Sequence, residues 1–482
     1  MTKSKKRWDL VVIGGGTAGI VAAKTAVELG AKVLLTESHR TGGDCLWTGC
    51  VPSKALIAVA RKVWAQRGSP VMGIGGARPE VDFLQVMNYV QGVITEIEPA
   101  DSIPTLLTAG IEIILGEAEF EDSHTIAVNG QAHGFSKAII ATGAGPAIPK
   151  ISGLESKRFL TSDSLWELKV LPTRLLILGA GNIGCELGQA FSRIGSKVVL
   201  LDIAERIIFR EDVDAAKILH QTLMNEGLEI HVGAQIINFE IEESGSGLVR
   251  FENLTGAHEI RFDQLLVATG RASRVGKLAL KAAGVDLNSR GFVKTNSALR
   301  TTNSSIYAAG DVTGHPQFTH VAGVHGSVAA SNAILGISRS AELEVIPRVT
   351  FTDPEIASVG DTSQTVAGRK SLYLSNTHVD RAITDSRQEG FTKIFVDSKG
   401  VIVGAVLVNP RAGEALSELT LAIKNGLKVQ ALARVIHPYP TLSDGIWKLA
   451  VTEVKDRLAQ PAIAFTLRSL KTTARIRGKI RS

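Results

Sequence analysis

Residues 8–38 read "WDLVVIGGGTAGIVAAKTAVELGAKVLLTES". Leu10 to Ile13 are apolar and strand-like, and an alanine-rich helix and a second apolar strand follow the glycines. Gly14, Gly16 and Gly19 fit the spacing G-x-G-x-x-G. The first glycine makes a tight turn, the second lets backbone approach a pyrophosphate, and the third allows close helix packing. The N-terminus of the helix that follows favours negative charge. Glu37 closes the second strand, where a carboxylate accepts hydrogen bonds from ribose hydroxyls. The segment therefore predicts a strand–turn–helix–strand unit that holds a dinucleotide.

The pattern returns in residues 174–207, "RLLILGAGNIGCELGQAFSRIGSKVVLLDIAERI", with Gly179, Gly181 and Gly184 in the turn and Asp202 at the strand end. Two such units imply two dinucleotides and a hydride or electron relay between them. An acid at the second strand end binds the free 2′-hydroxyl of NAD and repels the 2′-phosphate of NADP, so Asp202 favours NAD over NADP, although Arg206 lies nearby. Two further strands end alike, in Ala-Thr-Gly: "KAIIATGAGPAIP" at 137–149 and "QLLVATGRASR" at 264–274. Their spacing alone marks them only as strand ends.

A chain of 482 residues predicts two to four domains. Hydrophobic content of 44% and charged content of 21% suit a globular protein. No apolar run reaches the roughly 18 residues that span a bilayer. The opening residues run straight into a strand, so no secretory signal and a cytoplasmic location are expected. The net charge of +6 is concentrated: from residue 465 to 482 stand Arg468, Lys471, Arg475, Arg477, Lys479 and Arg481, with no acid. A solvated terminus is the plain reading of this tail, and nucleic-acid binding the less favoured one.

Three cysteines cannot form a disulfide framework. Two of them, Cys45 and Cys50, lie in "GGDCLWTGCVPSK" at 42–54. Zinc is disfavoured, because the spacing is wide, Cys185 lies in the second glycine-rich helix and no histidine cluster accompanies them. No resident metal is expected. Pro52 suits the first turn of a helix starting near "PSKALIAVARKVW", whose positive end would stabilise a Cys50 thiolate. A redox pair fits better than a structural one.

The order of "GGGTAGIVAA", "GGDCLWTGCVPSK", "GAGNIGCELG", "ATGR", "AAGD" and "FTDPEIASVG" resembles the pyridine nucleotide–disulfide oxidoreductases, the group with dihydrolipoamide dehydrogenase, glutathione reductase and mercuric reductase. The likeness runs to about residue 450. It implies an α/β protein with two Rossmann-like dinucleotide-binding domains and a C-terminal α+β dimerisation domain. The implied boundaries are 1–150 with 272–345 for FAD, 151–271 for NAD(P)H, 346–460 for dimerisation and 461–482 for the basic tail. By the same matching Gly42, Thr142, Gly143 and Asp311 join the first glycine turn and Glu37 in holding FAD, and Gly270 joins the cofactor-binding candidates. Lys54 would lie beside the flavin and pair with Glu186. Cys50 would be the flavin-side thiol, and Cys45 the one that meets the substrate. A homodimer with a shared active site is implied.

"RVIHPYPTLSDGIWKLA" at 434–450 departs from most relatives. Disulfide-reducing members carry a histidine before Pro-Thr as acid/base, oriented by a glutamate. Here Tyr439 takes the histidine position and Asp444 the glutamate position, and His437 stands two residues earlier. Tyrosine is a poor base at neutral pH. Tyr439 resembles the mercuric reductases, as do "PQFTHVAG" at 316–323 and "VTFTDPEIASVG" at 349–360. Those enzymes also carry a vicinal cysteine pair and a Cys-x-x-Cys domain, and neither pattern occurs in these residues. Asp44, where most relatives have threonine, puts a carboxylate beside Cys45; it is expected to disfavour the Cys45 thiolate, to cap a helix or to pair with a cation. With "DRA" at 380–382, "GGDC" resembles a mercuric reductase-like subgroup. The expected activity is passage of hydride from NAD(P)H through FAD to Cys45–Cys50 and on to a thiol, disulfide or soft-metal acceptor. The alternatives are a dihydrolipoyl dehydrogenase acting on a lipoyl protein, and a flavin-binding redox sensor that docks through its tail.

Overall fold

The computed structural model describes residues 7–77, 79–156, 158–363 and 366–480. Contacts divide the chain into two compact units, one of residues up to 208 with 223–342, the other of 209–222 with 343–482.

In the first unit the strand Arg7–Ile13 lies parallel to Val33–Glu37 on one side and Gln131–Ile140 on the other. Leu10, Val11 and Val12 are fully buried, as an apolar strand covered on both faces of a parallel sheet must be. Glu112–Leu115 extends this sheet beyond Val33–Glu37, and Ile306–Ala308 adds in parallel to Gln131–Ile140. A meander, Ala118–Asp122, Thr125–Val128 and Gln131–Ile140, completes it. Helix Thr17–Glu28 packs on helix Thr319–Leu335. Their backbones approach so closely that a Cβ added at Gly326 would come 2.3 Å from the Ala18 carbonyl oxygen.

A second parallel sheet in this unit runs Glu229–His231, Lys197–Leu201, Arg174–Leu178, Gln264–Val267, Leu160–Thr161. Three antiparallel strands, Gln235–Ile241, Gly247–Asn253 and Gly256–Phe262, flank it and bury Phe239, Phe251 and Phe262 in its core. The chain crosses between the two sheets through a short antiparallel pair, Ala144–Pro146 with Arg271–Ser273.

The second unit is an antiparallel sheet ordered Arg348–Thr350, Glu355–Gly360, Ile402–Asn409, Phe391–Val396, Lys370–Ser375. Helices Ala412–Lys424 and Asp444–Leu458 cover it and share its core through Leu416, Leu419, Ile446 and Leu449. Residues 209–222, placed in the nucleotide segment by sequence, group here and are tied to this unit by charge pairs. Lys393 Nζ lies 2.8 Å from both Asp212 and Asp214, and Glu211 bonds Arg348 and Ser358. The basic tail carries a helix, Pro461–Ile480. Among the described residues no helix is long and apolar enough to cross a membrane. The molecule is α/β, with two nucleotide-type sheets and a separate α+β unit.

Candidate active site

The two glycine turns share one construction. Gly14 adopts φ +110°, and a Cβ there would lie 2.4 Å from the Ala141 carbonyl oxygen. Gly179 adopts φ +108°, with Ala268 in the equivalent place at 2.5 Å. The Ala-Thr-Gly strand ends are thus what the first glycine of each turn packs against, a role their spacing concealed. The third glycines close the same way: a Cβ on Gly19 or Gly184 would fall within 2 Å of the Gly14 or Gly179 carbonyl oxygen. A carboxylate then seals each turn. Glu37 accepts from the Gly15 and His39 amides at 2.7 and 2.8 Å, and Asp202 from those of Ala180 and Ala204 at 2.6 and 2.8 Å.

These turns fit the dinucleotides the sequence implies. Around Gly181 and Gly270 nothing stands within 4 Å of an added Cβ, so the backbone is open to approach. Gly43 lies against Gly16, placing the Gly42–Gly43 turn beside the first cradle. The Thr142 hydroxyl is buried with no hydrogen-bond partner, next to Gly143. Asp311 stands nearby, where burial pushes its carboxyl up against the opposing pull of Arg271. Arg206 donates to the Ile208 carbonyl at 3.3 Å.

The thiols lie on consecutive helical segments. Cys45 belongs to Gly43–Trp47, and Cys50 is the first residue of Cys50–Ala65. The second helix therefore begins two residues earlier than Pro52 suggested. Ser53 stabilises that start by donating from its amide and its hydroxyl to the Gly49 carbonyl. Trp166 Nε1 donates to the Thr48 carbonyl at 2.9 Å and pins the connecting loop. Cys45, half-buried, and Cys50, exposed, are free thiols that share a hydrogen bond. That bond pulls the Cys50 thiol down to about 6, with Thr319 and Lys54 adding to the effect against burial. The same bond and burial push the Cys45 thiol up. The proton of the pair thus resides on Cys45, and the thiolate on Cys50 at the helix N-terminus. Thr319 Oγ1 is 3.2 Å from Cys50 Sγ. Lys54 Nζ is 2.8 Å from the buried Glu186 carboxylate.

Asp44 takes the third of its expected roles. Its carboxylate pairs with Arg271 and, at 2.9 Å, with Arg274; Arg274 also bonds Asp163 at 2.7 Å. The expected suppression of the Cys45 thiolate by Asp44 is overtaken: Cys50 and burial raise that thiol.

In the second unit Tyr439 is 69% exposed and donates to Asp380 at 2.7 Å. Asp444, expected at the orienting position, instead lies 3.3 Å from Lys448, which also bonds Asp380. Asp444 is the first residue of its helix, and its side chain meets Lys448 one turn on, at i+4. The Asp380 bond pushes the tyrosine hydroxyl up. His437 is held between Glu418 at 2.7 Å and the Val435 carbonyl at 3.0 Å. Thr319, Arg271, Arg274 and Lys448 lay inside stretches quoted from the sequence, and "DRA" contained Asp380; nothing marked Glu418.

Comparison with known proteins places these features. Residues 8–326 match the family model "Pyridine nucleotide-disulphide oxidoreductase", and 346–450 match that family's dimerisation domain, which supports a homodimer. A mercuric reductase of Lysinibacillus sphaericus is 36% identical over 460 residues, covering 94% of this chain and 84% of that protein. A dihydrolipoyl dehydrogenase of Thermus scotoductus is 35% identical over 463 residues, covering 92% and 97%. Among solved structures, the Cu(II) complex of the HOCl-induced flavoprotein disulfide reductase RclA from Escherichia coli aligns with TM-score 0.82 at 27% identity, covering 93% and 99%. A family model over well more than half the chain, with relatives matched nearly end to end, settles the assignment: the chain belongs to the pyridine nucleotide-disulphide oxidoreductase family, as a flavin-dependent enzyme that uses FAD and a pyridine nucleotide.

Proposed function

We propose that this enzyme is NADH-linked and mercuric reductase-like, and that Cys45 and Cys50 deliver its electrons to a soft-metal acceptor. The observation that carries the reading is the Cys50 thiol, lowered to about 6 by Cys45, Thr319 and Lys54 at the start of a helix. A thiolate at neutral pH is the form that gives up electrons or binds a soft cation.

Bound FAD supplies the hydride-accepting and electron-passing chemistry. The first glycine turn, Glu37, Thr142 and Asp311 would hold it. Gly179, Gly181, Gly184 and Asp202 would hold NADH; Asp202 keeps its carboxylate at the strand end while Arg206 turns to a carbonyl. Lys54, paired to Glu186, holds positive charge near Cys50 and favours its thiolate. Cys45 carries the pair's proton and is the thiol that meets the acceptor. With a divalent soft cation, both thiolates coordinate, two electrons pass to the metal, and Cys45–Cys50 closes as a disulfide while the Cys45 proton leaves to solvent.

We argue the acceptor class from Tyr439, which the resemblance to the family puts at the position of the acid/base histidine. Dithiol–disulfide exchange needs a base to take the proton of the exchanging thiol, and a tyrosine held protonated by Asp380 is not one. A coordinating metal displaces that proton itself. The second reading, a dihydrolipoyl dehydrogenase, is favoured by the 35% identity to the Thermus scotoductus enzyme. One experiment separates them: reduce the enzyme anaerobically with NADH, record the long-wave thiolate–flavin band, then offer mercuric ion, lipoamide and glutathione disulfide. Reoxidation by mercuric ion alone is expected. Fast turnover of lipoamide replaces the metal reading, and no long-wave band removes the redox role of the thiols.

A further inference from the structure

The helix Pro461–Ile480 takes no part in this chemistry, yet it is the most basic stretch of the chain. Apart from Ile463 and Ala464, every residue from 461 to 475 is exposed. Exposed basic residues alone would mark a solvated end. Here large apolar side chains stand exposed among them: Phe465 at 73%, Leu467 at 44% and Leu470 at 61%.

Ile463, Leu467, Leu470 and Ala474 recur at i, i+4, i+7 and i+11, which places them on one helical face. Phe465 lies about 200° round the helix from Ile463 and so off the stripe that the two leucines share. Arg468, Lys471 and Arg475 each follow a member of that stripe by one residue, about 100° further round the helix. An apolar stripe flanked by a basic one, with no acid from 465 to 482, is the pattern of a helix that lies flat in a membrane interface. At 20 residues it is about 30 Å long, and it is too polar to cross a bilayer.

We propose that Pro461–Ile480 is a docking helix for an anionic phospholipid surface. The basic stripe complements the headgroup charge, and Leu467 and Leu470 enter the acyl boundary. A nucleic acid would satisfy the arginines and lysine but offers the leucines no apolar phase, so the bilayer fits both stripes and the duplex only one. The enzyme would then work as a peripheral protein held at the surface by this helix.

The test uses the full-length enzyme loaded with FAD, sedimented with vesicles of phosphatidylcholine alone or mixed with phosphatidylglycerol. Binding to the mixed vesicles only, weakening with salt, is expected. The triple variant Arg468→Glu, Lys471→Glu, Arg475→Glu should bind at least about a hundredfold more weakly. The pair Leu467→Ser, Leu470→Ser should also lose binding at unchanged charge. Both variants should retain FAD and oxidise NADH at the parent rate, which excludes misfolding. Absence of vesicle binding, binding to duplex DNA in place of vesicles, or full retention by the leucine variant would each overturn the proposal.

Discussion

Asp44 Oδ1 and Arg274 Nη1 form a 2.9 Å ion pair across 230 residues, joining the turn that carries Cys45 to the strands that link the two nucleotide sheets. With Arg271 on its other oxygen, the Asp44 carboxylate is doubly compensated. A carboxylate beside an exchanging thiol is therefore compatible with thiolate chemistry.

Removing Arg274 should expose that charge. In Arg274→Gln the pH midpoint for iodoacetamide alkylation of the reduced thiols should move upward, because a negative charge less well compensated disfavours a thiolate. Adding Asp44→Asn should move it back. Equal midpoints in Arg274→Gln and in the double variant would mean that the pair acts only as a structural tie.

Thr319 donates to the Cys50 thiolate, so Thr319→Val should raise the Cys50 thiol from about 6 by about 1 unit, the worth of one hydrogen bond to a charged group. Thr319→Ser should leave it nearly unchanged. The readout is the long-wave thiolate–flavin absorbance of the NADH-reduced enzyme against pH. In the parent this band should fade as pH drops through about 6, since the lowered thiol is ionised above that value and protonated below it.

Asp202 takes both its backbone hydrogen bonds at the end of the second nucleotide strand. Asp202→Ser should cut the NADH-to-NADPH ratio of kcat/KM by about tenfold or more, by removing the repulsion of a 2′-phosphate. A ratio that stays constant would show that cofactor choice lies elsewhere.

Asp380 holds the Tyr439 hydroxyl protonated. Asp380→Asn should lower the tyrosine's titration midpoint toward the ordinary value near 10, followed by ultraviolet absorbance as a difference from Tyr439→Phe. Tyr439→His should gain turnover with lipoamide, having acquired a base. No gain would place the barrier to disulfide substrates outside this residue.

The parts differ in how far they could be read from the chain. Both glycine turns, their closing acids and the thiol pair were legible because each is a contiguous pattern whose geometry is set by neighbouring residues. The Ala-Thr-Gly strand ends were visible as repeats, but their work, seating Gly14 and Gly179, depends on strands that meet only in the sheet. The segment 437–444 was read for Tyr439 and missed its partner, because Asp380 arrives from a separate helix, Asp380–Thr384.

Sequence by itself carried the resemblance to the family in its ordered motifs, and it determined both glycine turns and the position of the thiols, since spacing along a strand, turn or helix dictates those shapes locally. Tertiary structure decided which thiol holds the charge and which groups answer the unusual acids. Cys50 meets Thr319 across 269 residues, and Asp44 meets Arg271 across 227. Hydrogen bonds and charge pairs of that span exist only once the sheets have packed, so their partners cannot be read from local pattern.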